Sequence, residues 1–164
     1  MLPDMRMIRP TLVVVADNAV DVVTAAGGWI ADLAWSGWMV FAGLQEDGHE
    51  SALRILGATN ASMDDAIARY HGRPGPRVIA VSADSCRHNR RLSKWVAELA
   101  TGSGEVRLWG QGCAELFRLA TPVVDHRLSP GALAFKRQAL ETTGCPTDVA
   151  PVESFAVVLR RRRR

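Results

Sequence analysis

The stretch Thr11–Asp17 reads TLVVVAD, a run of β-branched and aliphatic residues closed by an acid. A continuous apolar run of this length, without polar alternation, is the signature of a strand buried on both faces, as parallel strands of α/β domains are. Working outward, Asn18 suits a helix cap, and Ala19 to about Trp35 reads as a helix weakened by Gly27-Gly28. Trp38–Leu44 (WMVFAGL) reads as a second strand. Ala52–Ala58 (ALRILGA) holds a third strand candidate, and Ser62 followed by Asp65 is a capping-box spacing that opens a helix near Met63. Val78–Ser82 (VIAVS) repeats the strand pattern. Asp84-Ser85 opens a helix to about Leu99, and Glu105–Trp109 (EVRLW) is a further strand. Helices are expected over Cys113–Ala120 and Pro130–Thr142, with Pro130 placed for a first helical turn.

Strands alternating with helices predict a three-layer α/β domain: a mainly parallel sheet of about 4–5 strands with helices on both faces, Rossmann-like in outline. With 164 residues and 17.8 kDa, the chain is sized for one domain, expected over residues 1–143, with residues 144–164 as a tail that is Pro-containing, briefly apolar (FAVVL) and then pure arginine. The net charge of +3 is a property of that tail, because Arg160–Arg164 exceed it and leave the body mildly acidic. The arginine run suits a nucleic-acid arm, a contact with an acidic membrane surface, or an end with no dedicated role. FAVVL suits a sheet edge or the surface of a second copy in a homodimer. Cys86, Cys113 and Cys145 form no paired framework, and no signal-peptide pattern opens the chain, so a cytoplasmic protein is expected. Val22–Leu44 has the length of a membrane span, but the central Asp32 and the glycine pair favour a helix followed by a strand.

No phosphate-binding glycine loop, nucleophile elbow or zinc-protease motif occurs. Aspartate recurs instead at strand exits and helix starts: Asp17 after VVVA, Asp64 and Asp65 opening DDAI, Asp84 after VIAVSA. The carboxyl ends of parallel strands lie on one edge of the sheet, where such acids can converge into an oxygen-ligand site for Mg²⁺ or Mn²⁺. Each aspartate taken alone also suits a helix cap. The helix after Asp84 carries Arg87, Arg90, Arg91 and Lys94 at spacings that share a face, a candidate contact for phosphates, and the tryptophans offer stacking surfaces.

The ordered series VVVAD, GGWIAD, MDDAI and VIAVSAD resembles the small bacterial NYN/PIN-like proteins, some of whose actinobacterial members carry the label NTP pyrophosphohydrolase. The resemblance spans about Leu12 to Leu119. It implies a metal-dependent ribonuclease in which Asp17, Asp64 and Asp84 bind Mg²⁺ or Mn²⁺, Asp65 or Asp32 supports them, and Ser82 fixes a carboxylate or a metal-bound water. RNA would be the partner. Val20 stands where the family carries an asparagine, unless Asn18 takes over its role, Ile30 stands where it carries a second tryptophan, and the Trp29–Asp64 interval is shorter. These departures point to an alternative, a catalytically degenerate PIN-like domain that binds nucleic acid or protein. A third reading is an unrelated Rossmann-like nucleotide-binding domain.

Overall fold

The computed structural model of the protein describes residues 8–100, 104–112 and 122–158. The elements run β1 (Thr11–Ala16), α1 (Ala19–Trp35), β2 (Met39–Leu44), α2 (Glu50–Leu56), β3 (Thr59–Ser62), α3 (Met63–Gly72), β4 (Arg77–Ser82), α4 (Ala83–His88), α5 (Arg90–Ala100), β5 (Glu105–Trp109), β6 (Val123–Arg127), α6 (Pro130–Thr142) and β7 (Val152–Val158). Seven strands form one sheet in the order β3-β2-β1-β4-β5-β7-β6. The first five are parallel, while β7 is antiparallel to both β5 and β6.

The expected sheet of 4–5 strands is therefore an undercount. Beyond β5 the chain adds an antiparallel pair, and residues 152–158, taken as part of a tail, form the strand between β5 and β6. ALRILGA is also reassigned: Glu50–Leu56 is a helix burying Ala52, Leu53 and Leu56, and the short polar TNAS beyond it is the edge strand β3. The helix expected over Asp84–Leu99 is two, because Asn89 leaves the helical region and its side chain accepts from the Leu92 amide at 3.1 Å, capping α5. The helix expected over Cys113–Ala120 and the Arg160–Arg164 run lie outside the described residues. No helix among the described residues is long and apolar enough to cross a membrane.

β1 is buried along its whole length, and its alternate residues feed two cores. Leu12, Val14 and Ala16 pack with α1, α2 and α6, whereas Val13 and Val15 pack with α3 and α5. Two close approaches depend on glycine. A Cβ on Gly28 would stand 2.0 Å from Leu128 Cδ2, and one on Gly43 would meet Ala66 Cβ at 2.6 Å, so α1 and α3 sit where only hydrogen fits.

The first core conceals one ion pair. Lys136 of α6 and Glu153 of β7, with side chains 5% and 2% exposed, meet at 2.7 Å. Glu153 also accepts the backbone amides of Gly28 (2.9 Å) and Trp29 (2.6 Å), while Lys136 Nζ donates to the Thr24 carbonyl at 2.7 Å. In an uninterrupted helix the Gly28 amide would donate to that same Thr24 carbonyl. The two side chains thus bond backbone groups of α1 at and just before its glycine pair.

Candidate functional site

The register of the five parallel strands brings Ala16, Leu44 and Ser62 level with one another, and likewise Ser82 with Trp109. The residues that follow these ends therefore occupy one edge. Asp17 follows β1; Asp64 and Asp65 lie in the first turn of α3 after β3; Asp84 lies in the first turn of α4 after β4. Ser62 Oγ accepts from the Asp65 amide at 3.1 Å, and the buried Ser82 accepts from the Ser85 amide at 3.5 Å. Both serines are helix caps, so Ser82 is committed to the start of α4.

At this edge each of three carboxylates faces a cationic or protonatable group from α4 or α5. Asp84 Oδ1 lies 2.6 Å from Arg87 Nη1, Asp17 Oδ2 3.9 Å from His88 Nδ1, and Asp64 Oδ1 4.0 Å from Arg91 Nη2. Arg87 also donates to the carbonyl of Gln111, tying α4 to the loop beyond β5. Among the described residues, no three His, Cys, Asp or Glu side chains group closely enough to hold a metal ion. The acids that sequence placed on one edge do share it, yet they alternate with bases instead of meeting one another.

Asp32 does not belong to this edge. It lies on α1 about 20 Å along the helix axis from Asn18, at 1.5 Å per residue. There its carboxylate receives His126 Nε2 at 2.7 Å, the Ser129 amide at 3.1 Å and the Ser129 hydroxyl. Burial pushes the Asp32 carboxyl up, but the hydrogen bonds from Ser129 and His126, with the charge of His126, outweigh it and leave the pKa below the ordinary carboxylate value. Asp32 anchors the junction of β6 and α6, since Ser129 is the N-cap of α6. Its expected role as a metal ligand is corrected accordingly.

Beside the edge, between α3 and α5, lies a groove of about 370 Å³ lined by Met63, Asp64, Asn89, Arg91, Lys94 and Trp95 among others. Arg90, Arg91 and Lys94 are all exposed. Trp95 is set by its surroundings: Nε1 bonds His71 Nε2 at 2.9 Å, and the ring meets Tyr70 edge-on at 5.8 Å. Sequence reading named the tryptophans as a group; packing selects Trp95 as the one in the groove. The Lys136–Glu153 pair, which borders a separate cavity of about 630 Å³ with Trp109 and Cys145, had no sequence signal.

No family model and no curated protein matches the chain. Solved structures similar to it include two from one biosynthetic pathway. One is a deacetylase triple mutant (Orf2*T) of the teicoplanin biosynthetic pathway, 13% identical, with a TM-score of 0.57 over 94% of this chain and 100% of that one. The other is a deacetylase–teicoplanin complex from the same pathway, 12% identical, with a TM-score of 0.61 over 93% of this chain and 98% of that one. At such identities the likeness establishes a shared mixed α/β fold.

Proposed function

We propose that the protein is a binding domain that holds single-stranded nucleic acid along the carboxyl edge of its parallel strands, without hydrolysing it. The observation that carries this reading is the pairing of Asp84 with Arg87, Asp17 with His88 and Asp64 with Arg91. A divalent ion needs several carboxylate oxygens turned toward one point, whereas Asp84 and Asp64 each lie within 4.0 Å of an arginine and Asp17 lies 3.9 Å from His88. The donor set does not fit the Mg²⁺ or Mn²⁺ implied by the NYN/PIN resemblance, so no chemical step is assigned to such an ion. Arg90 and Lys94 supply exposed positive charge on the same helix, and Trp95 offers a ring beside them for a base to stack on. The deacetylase activity of the two similar structures is theirs, and nothing at the edge carries it to this chain.

Fluorescence anisotropy with labelled single-stranded RNA, at rising salt and with or without Mn²⁺, tests the proposal. Binding should weaken as salt rises, the RNA should stay intact, and Arg91→Glu with Lys94→Glu should lower affinity at least tenfold. Absence of binding at low salt would overturn the proposal. Mn²⁺-dependent cleavage that disappears in Asp17→Asn and Asp84→Asn would overturn it in favour of the ribonuclease.

A further inference from the structure

Away from the carboxyl edge, Arg69 on α3 and Arg73 at its C-terminal cap converge on one aromatic ring. The guanidinium carbons lie 5.1 and 5.2 Å from the centroid of Phe41, a β2 residue only 4% exposed. Asp65 stands one helical turn before Arg69, the spacing at which an acid and an arginine pair on a helix. Arg69 forms no ion pair with it. Neither arginine has a carboxylate partner among the described residues, and both border a depression of about 510 Å³ with Ala68, Gly72 and Pro74, Asp65 being the acid of its lining. The pair recurs at i and i+4, so one face of α3 presents two like charges that would separate if solvation alone positioned them. Cation–π attraction to the shared ring holds both guanidinium groups near one another, and neither has a carboxylate among the described residues to satisfy its donors.

We infer that Arg69 and Arg73 form a phosphate-binding fork, with Phe41 as the ring that holds both guanidinium groups together. The group recognised is a phosphate with its charge and acceptor oxygens open, since planar guanidinium donors match phosphate bidentately and a single anion relieves the repulsion between the two cations. The fork lies toward the C-terminus of α3 and shares no lining residue with the proposed nucleic-acid groove, so the two sites can be tested separately.

Phosphorus NMR titration of the full chain with inorganic phosphate, at constant ionic strength with chloride as the control, tests the inference. Saturable binding is expected, at least tenfold weaker in Arg69→Gln with Arg73→Gln. The lysine pair Arg69→Lys with Arg73→Lys should also bind more weakly at unchanged thermal stability, because it keeps the charge and loses the fork. Asp65→Asn should tighten binding. Oligonucleotides with and without a 5′-phosphate separate the sources: preference for the phosphorylated end assigns the fork to a terminal phosphate, and equal binding assigns it to the diester backbone. Binding that is absent from the full chain, that survives the glutamine pair, or that is lost in Arg91→Glu with Lys94→Glu would overturn the inference.

Discussion

Removing one member of the Lys136–Glu153 pair should be among the most damaging single changes to this fold. Replacing Glu153 with leucine leaves the Lys136 ammonium, 5% exposed, without its counter-ion, and takes the acceptor from the Gly28 and Trp29 amides. Breaking a buried ion pair by removing one partner costs about 3–5 kcal/mol. For a domain of this size each kcal/mol shifts Tm by about 2–4 °C, so a fall of about 6–20 °C is expected. Lys136→Met should cost a similar amount, because it strands the carboxylate and frees the Thr24 carbonyl. The double variant should be less damaged than the two singles added together. With both side chains gone, neither charge is left buried without its partner. Urea unfolding of the four proteins, analysed as a double-mutant cycle, measures this coupling, expected at about 2 kcal/mol or more. Single variants costing less than about 1 kcal/mol, or strict additivity, would refute the reasoning.

Two further outcomes follow from the packing and from Asp32. Gly28→Ala places a methyl group against Leu128 and should cost about 1–3 kcal/mol by overpacking, read in the same unfolding assay, whereas the more open Gly27→Ala should cost less. Asp32 has a lowered pKa in the folded protein, so its contribution is complete above its unfolded value and is lost as pH falls through the folded one. The stability difference between the protein and Asp32→Asn should therefore shrink in acid as pH falls below the ordinary value of 3.8, which thermal unfolding across pH would record.

Of the four strands that sequence placed correctly, three are buried almost without a break, and the fourth, EVRLW, keeps Val106, Leu108 and Trp109 buried. TLVVVA, VIAVS and the run around VFAGL have no polar interruption, and each is a central or near-central strand. At the margins the signal weakened for a physical reason. β3 is the polar TNAS, half exposed at the rim of the sheet, so the more apolar ALRIL beside it took the assignment although it winds as a helix. VVDHR is an edge strand with exposed valines, and β7 carries Glu153 at an inward position where only a partner 17 residues earlier makes a carboxylate tolerable. The candidate site divided in the same way. Acid at the ends of strands is a local pattern and was legible. Arg87 faces Asp84 from within the same helix, whereas the approach of His88 to Asp17 and of Arg91 to Asp64 joins separate elements and registers only in three dimensions.

The place of β7 in the sheet bears on how the polypeptide is finished as it is made. Residues 152–158 enter between β5 and β6, both translated earlier, so β6 has no neighbour on that side until the ribosome has delivered them. Glu153 arrives with the same strand, and until then Lys136 lacks its counter-ion and the Gly28 and Trp29 amides lack the carboxylate that accepts from them. A nascent chain halted before Val152 would therefore carry a well-formed five-stranded half beside an unfinished one.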